Sequence, residues 1–255
     1  MKLGEYNNLE ILRFTSIGAY LGDEEGNDVL LPGKFLDPDW EVGDSVEVFL
    51  YRDSEDRLIA TVMKPFLTLG EFGYLTVNQV NFFGAFLDWG VEKELMVPFK
   101  EQKKKLVEGQ TVLVHLYMDD KTDRLVATAK IGKYLEEAPE DFPLNEPVNA
   151  LICDQMDNGV RVIVNQKHAA IIYDSDITKP LKRGDEMTVY AIKRRDDGRL
   201  DVRLEPEGYQ KISEFTEIIL GAIEEHAGLL PLNDYSHPDD IREMLGMSKK
   251  NFKKA

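Results

Sequence analysis

The chain has 255 residues, a formal net charge of −16 and a single cysteine, Cys153. One cysteine excludes an intrachain disulfide and a cysteine-built metal site, and predicts a reducing, cytoplasmic setting. No apolar run approaches the ~18 residues of a membrane-crossing helix, and the opening MKLGEYNNLE lacks the apolar segment of a secretory signal.

The acidity is unevenly divided. Residues 1–63 carry 5 basic and 14 acidic side chains, net −9. Residues 64–135 carry 10 and 9, residues 136–205 carry 10 and 15, and residues 206–255 carry 6 and 9. The first stretch repels phosphate. Nucleic-acid contacts must therefore come from local basic clusters further along, with few phosphates neutralised and a shallow salt dependence.

In chain order, GAYL, VLLP, VGDSVEVFLY and DRLIAT follow one another from Gly18 to Thr61. From Gly84 to Thr128 the chain says nearly the same thing again, as GAFLDWG, LMVP, VEGQTVLVHLY and DRLVAT. The spacing from Gly18 to Gly84, and from Gly43 to Gly109, is 66 residues. A degraded third copy reads NGVRVIV, LKRGDEMTVYAI and DGRLDVRL, with Gly184 placed 75 residues after Gly109. A period this long marks tandem copies of one small domain, not solenoid turns.

Each copy ends in a hairpin. Ser45–Tyr51 alternates Val46, Val48 and Leu50 with polar positions, a period of two that buries one face. A charged turn at Arg52–Asp56 and a return strand at Arg57–Val62 follow. The second copy uses Thr111–Tyr117, Met118–Asp123 and Arg124–Ala129; the third uses Met187–Ile192, Lys193–Gly198 and Arg199–Leu204. Earlier strand pairs surround Gly18, Gly84 and Gly159. About five short strands per copy, with glycine corners, predict small Greek-key barrels that bind oligonucleotides with one face and its loops.

The fold class is thus mostly β with a small helical end: three tandem five-stranded OB-type barrels, then a helix-turn-helix. The expected boundaries are 1–63, 64–135 and 148–206 for the barrels. Residues 136–147 (EEAPEDFPLNEP) read as an extended acidic linker that sets the third barrel apart. Residues 207–255 form the helical part. There Ile212, Phe215, Ile218, Ile219, Ala222 and Ile223 recur at helical spacing, and Gly228 is a stop. Ser236, Pro238 and Asp239 mark a second start, Gly246 its end, and Ser248 a third start.

The core of the second copy resembles the ribosomal S1-type RNA-binding domain. The stretches LLPGKF, VGDSVEVFLYRDSEDRLIAT, LDWGVEKELMVPFKEQ, DDGRLDVRL and LPLNDYSHPDDIREMLGMSKKNFKKA make the whole chain similar to the bacterial conserved virulence factor B family. That resemblance implies three S1-type domains and a winged helix, here lacking its wing and so incomplete at the C-terminus. It also implies RNA binding in post-transcriptional control of gene expression, virulence factors included.

It further implies aromatics near the FGAF segment, a histidine on the next strand and basic residues on the last strands. Phe83 and Phe86 fill the aromatic positions of the second copy, with Trp89 nearby; Leu95–Phe99 holds no histidine. The first copy offers only Tyr20, and the third has Arg161 and no aromatic at that place. Such readers stack bases on aromatic rings and guide the backbone with Lys and Arg. Alternation places Phe86 opposite Phe83, Ala85 and Leu87, so the two rings cannot both lie in the core. Arg57, Arg124 and Arg199 recur at equivalent positions, which favours a common structural task, such as pairing with the preceding Asp56 or Asp123, over RNA contact; Arg124 is kept as a candidate contact. Lys193, Arg194 and Arg195, with Arg161, Lys167 and His168, form a candidate basic patch on barrel three. Lys249, Lys250, Lys253 and Lys254 form another on the last helix. Lys103, Lys104 and Lys105 read as a solvated face.

Catalysis has little support. His115 reads as a strand residue, and His168, His226 and His237 lack metal-ligand spacing. No phosphate loop, GxSxG or HExxH motif occurs. The expectation is a non-enzymatic RNA-binding protein with no metal and no cofactor. The alternative is a protein-interaction adaptor whose acidic first barrel meets a basic partner.

Overall fold

The computed structural model describes residues 1–177, 179–206, 209–226 and 229–253. Gly228 and Lys254 lie outside the described residues, as do the side chains of Ile212 and Lys250.

The first copy folds as β1 (Tyr6–Thr15), β2 (Gly18–Gly22), β3 (Asp28–Pro32), β4 (Ser45–Arg52) and β5 (Leu58–Thr61). These close into a barrel in the order β1-β2-β3-β5-β4. The third copy repeats this with β11 (Pro147–Met156), β12 (Gly159–Val164), β13 (His168–Tyr173), β14 (Glu186–Arg194) and β15 (Leu200–Arg203). Both barrels close through a short parallel seam, Leu30 facing Ile59 in one and Ala170 facing Leu200 in the other.

The second copy has the same strands: β6 (Phe72–Val80), β7 (Gly84–Asp88), β8 (Leu95–Pro98), β9 (Thr111–Asp119) and β10 (Arg124–Thr128). Its order is β10-β9-β6-β7-β8, and β8 does not pair with β10. β8 still lies against β10, so the middle copy keeps the barrel arrangement with no hydrogen-bonded ladder at its closing seam.

Two backbone devices explain the repeated glycines. A Cβ on Gly18, Gly84 or Gly159 would lie 2.1, 2.4 or 2.2 Å from the carbonyl oxygen of Leu31, Val97 or Ile172, closer than any side chain tolerates. Only glycine lets the second strand of each copy turn this corner. Gly43, Gly109 and Gly184 have φ of +99°, +77° and +89°. Each donates its N–H to the first strand, to Ile11, Val77 or Ile152, at 2.8 Å. Those acceptors sit beside the register shift of β1, β6 and β11, so the loop clips onto the bulge.

The hairpins run slightly longer than the periodicity suggests, since β4, β9 and β14 extend into the charged turns. Asp56, Asp123 and Gly198 take positive φ at equivalent turn positions, where Asp and Gly are the tolerant residues.

The barrels are not beads on a string. Phe49 and Tyr51 of β4 share a buried cluster with Trp89, Leu87 and Val91 of the second copy. Trp89 is 2% exposed and meets Phe49 edge-on at 5.6 Å and Tyr51 at 6.5 Å. On the other side, Phe72, Leu113 and Ile131 pack against Leu151, Cys153 and Ile163 of barrel three. Burial pushes the Cys153 thiol up to about 12. The Gln166 side chain accepts a hydrogen bond from the Phe72 N–H at 2.8 Å.

This corrects the reading of a third barrel set apart. Residues 136–147 do not hang free: Ala138 and Phe142 enter the core of barrel three, and Glu136 bridges to His168. Ala138 and Phe142 anchor the acidic segment, while Leu144 stays exposed.

The chain ends in α1 (Tyr209–Glu225), α2 (Pro238–Leu245) and α3 (Lys249–Phe252). Ile241, Leu245 and Met247 form its core, against Phe215, Ile219, Ala222 and Phe252. His237, not Ser236, caps α2, with its ring accepting from the Asp239 N–H, and Gly246 ends the helix at φ +64°. Among the described residues no helix is long and apolar enough to cross a membrane.

Trp89→Ala should cost about 3–5 kcal/mol, the usual range for a buried aromatic truncation. It should also split urea unfolding into two transitions, as barrel one uncouples from its neighbour. His115 lies between the rings of Phe72 and Tyr134, at 4.4 and 4.1 Å, and its Nδ1 is buried with no partner. Burial, with Lys133 adding to it, pushes its pKa down from 6.5 to about 4. The unfolded chain takes up this proton near pH 6.5 and the folded chain only near pH 4, so folding stability falls as pH drops through that window. The urea midpoint measured from pH 7 to 4.5 should fall less steeply in His115→Phe than in the wild type.

Candidate nucleic-acid interface

A cleft of about 390 Å³ lies over the β8–β10 seam of the second copy. Its floor is Leu95 and Met96 of β8 beside Arg124, Leu125 and Val126 of β10. Phe83 and Phe86 stand at its rim, and Arg52, Ser54 and Asp56 come across from barrel one. Phe86 lies opposite Met96 in the β7–β8 register, on the strand that holds no histidine.

Local geometry explains which rings are free. Ala85 and Leu87 are fully buried, which turns Phe86 outward to a half-buried position. Phe83 does not follow that alternation, because it precedes the Gly84 corner and lies in the turn. Asn81 holds the turn, its Oδ1 accepting from the Phe83 N–H at 2.9 Å. Phe83 is 61% exposed, and Phe82, 82% exposed, stacks on it with ring centroids 4.0 Å apart. Phe82 was not singled out by the sequence pattern; an exposed FF pair beside an essential glycine was the available signal.

Three cations line this cleft against two carboxylates: Arg52, Lys93 and Arg124 against Asp56 and Glu94. Arg124 donates to both oxygens of Asp56 at 3.0 Å, an ion pair between barrels one and two. That pairing pulls the Asp56 carboxyl down and the Arg124 guanidinium up. Lys93 donates to the Asp53 carbonyl at 2.6 Å, and desolvation lowers its pKa. The Arg52 Nε is buried without a partner.

Trp89 is corrected. It lines the floor of the cleft, but its ring is buried between barrels and its indole N–H donates to the Lys93 carbonyl. It is a structural wedge and not a stacking surface. The recurrent arginines are also corrected in their partners. Arg57 binds Asp53, Arg124 binds Asp56 instead of Asp123, and Arg199 reaches Asp197 at 3.6 Å.

The equivalent face of barrel one is closed off. Tyr20 sits under the Arg13 guanidinium at 4.1 Å, and Arg13 is tied to Asp28. In barrel three the equivalent cleft, about 370 Å³, gathers Arg161, Arg195 and Arg199 with Glu136, Glu137 and Asp197. The expected basic patch is only partly assembled there. Arg195 is held by Asp201 at 2.5 Å and by the Tyr173 hydroxyl at 2.6 Å, and Arg194 donates to the Ala138 carbonyl. His168 is buried, its Nδ1 at the Glu136 carbonyl, and is withdrawn as a surface contact. Lys167 and Lys193 are exposed but do not line this cleft. In the last helix Lys249 donates to the Ser236 carbonyl at 2.8 Å, and Lys253 is exposed. Among the described residues, no group of His, Cys, Asp and Glu is placed to hold a metal ion.

Comparison with known proteins agrees with this architecture. The S1 domain family matches residues 3–63 and 69–130, and the CvfB-like winged helix domain matches residues 217–255. Barrel three carries the same strand order as barrel one. The chain is similar to the uncharacterized protein YitL of Bacillus subtilis, 29% identical across 100% of this chain and 88% of that one. It is 26% identical to conserved virulence factor B of Staphylococcus epidermidis, across 99% of this chain and 88% of that one. A solved multidomain protein with nucleic acid binding domains from Streptococcus pneumoniae aligns over 99% of this chain and 91% of its own. Its TM-score is 0.44 and its identity 23%.

Proposed function

Because the chain belongs to the S1-domain proteins that end in a CvfB-like winged helix, we propose that it binds single-stranded RNA. The observation that carries this reading is the cleft of the second copy, where exposed Phe83 and half-buried Phe86 stand over Arg52, Lys93 and Arg124. Aromatic faces accept any base by stacking, and the cations meet the adjoining phosphates. Phe82, stacked on Phe83, widens the platform. In this reading the protein acts in the cytoplasm in post-transcriptional control, and the relatives named conserved virulence factor B support a link to virulence. Arg161, Lys167, Lys193, Arg194, Arg195, Lys249, Lys250, Lys253 and Lys254 remain secondary contacts in this reading.

A second role is favoured by one feature of barrel one. Its Tyr20 face is covered by an arginine and its stretch carries net −9. That barrel suits a basic protein partner and not phosphate.

Replacing both Phe83 and Phe86 by alanine should weaken RNA binding at least tenfold, at ~1–3 kcal/mol for each stacked base, with the urea midpoint little changed. Fluorescence anisotropy with labelled single-stranded RNA reads the affinity. A folded double variant that binds RNA as well as the wild type removes the platform.

A further inference from the structure

A second cleft, about 320 Å³, lies where the second and third barrels meet. It is not the aromatic face of either barrel. Its charged lining is Lys103, Lys104, Arg161 and Arg183 against one carboxylate, Asp154. In a chain of net charge −16 this four-to-one balance is a local reversal of sign.

The cluster is held in place from both sides. Asp154 Oδ2 accepts from Arg161 at 2.6 Å, and its Oδ1 lies 3.2 Å from Arg183 and accepts from the Tyr74 hydroxyl at 3.4 Å. One carboxylate thus sets two guanidiniums side by side, with Arg183 over the Tyr74 ring at 5.9 Å. Their remaining N–H groups exceed what one carboxylate can accept. The Arg161 Nε is buried and has no partner. Lys103 and Lys104 are exposed and have no ion-pair partner among the described residues. The loop that carries them is anchored by Gln102, which is buried and bonded to the Val97 carbonyl and the Leu106 N–H. The shared core of Phe72, Leu113, Leu151 and Ile163 fixes the two walls relative to each other. Arg161 also lines the adjoining cleft of barrel three.

We propose that this inter-barrel cleft is a phosphate-binding site for the RNA backbone, made of Lys103, Lys104, Arg161 and Arg183 with Asp154 as their orienting anion. It rests on the RNA-binding reading and adds a second place of contact, one that neither barrel possesses alone. Guanidiniums in a fixed fork match phosphate oxygens. The lysines add charge at the entrance, and the strand continues along Arg161 toward barrel three.

The test is a titration of the full chain with labelled single-stranded RNA across a salt series. Lys103→Gln with Lys104→Gln removes two exposed charges and leaves the core untouched. Losing two phosphate contacts should reduce the slope of log affinity against log salt by about 1.4, at ~0.7 per contact for single strands. Affinity at low salt should drop several-fold. A control pair of exposed lysines elsewhere, Lys2→Gln with Lys121→Gln, should leave the slope as it is. Phe83→Ala with Phe86→Ala should lower affinity without moving the slope. If the wild type binds RNA and the Lys103/Lys104 variant keeps its slope, the cleft assignment falls and the RNA reading stands. If the wild type binds no RNA at low salt, both fall. Unlabelled inorganic polyphosphate separates the two sources of phosphate. If it displaces RNA as well as unlabelled RNA does, phosphate for phosphate, the assignment to an RNA strand is overturned.

Discussion

Trp89 lies between Phe49 and Tyr51 of the first barrel, fully desolvated, with its one polar atom bonded to the Lys93 carbonyl. A ring of that size buries on the order of 200 Å², and it packs against rings across a domain boundary. The consequence is that barrel one cannot rotate away from the second copy without exposing Trp89. The same constraint acts on the far side, where Phe72, Leu113 and Ile131 meet Leu151, Cys153 and Ile163. Relative motion is the default for domains joined by small polar contacts. Here the contacts are apolar and buried, so the barrels stand as one block.

This rigidity decides what the clefts are made of. At the β8–β10 seam of the second copy, barrel one supplies one wall of the cleft through Arg52, Ser54 and Asp56. Arg124 and Asp56 join the two across the opening. The acidic first barrel thus has a structural task beside any partner of its own: it sets the cations of the neighbouring copy. The groove toward barrel three is likewise a product of docking, because Lys103 and Lys104 come from one barrel and Arg161 and Arg183 from the next. A chain with a strongly acidic total thus presents positive ground where two barrels meet.

Much of the architecture was legible in the sequence. The 66-residue repeat, the glycines at 18, 84 and 159 and the alternation in SVEVFLY mark strands and corners through backbone geometry, which is local. The outward turn of Phe86 follows from that same alternation. What could not be read is whatever depends on contacts between copies. Trp89 in a turn-like DWG segment suits either a partner contact or packing between barrels, and Phe49 and Tyr51 of the first barrel decide it for packing. EEAPEDFPLNEP has the composition of a solvated linker, yet Ala138 and Phe142 plug the core of barrel three. KKK at 103–105 looks like an ordinary solvated run, until Arg161 and Arg183 arrive beside it from some 60 to 80 residues away. Arg124 pairs with an Asp of the preceding copy and not with its own, because the docked barrels bring Asp56 closer.

The central claim is that RNA lies against the seam of the second copy, on the Phe83 and Phe86 rings. Ultraviolet crosslinking of single-stranded RNA to the full chain, followed by mass-spectrometric mapping of the adducts, tests it most directly, since a stacked base couples to the ring beneath it. The account predicts adducts on Phe83, Phe86 or the adjoining Phe82. Adducts confined to barrel one or to the terminal helices, with none on these rings, would contradict it.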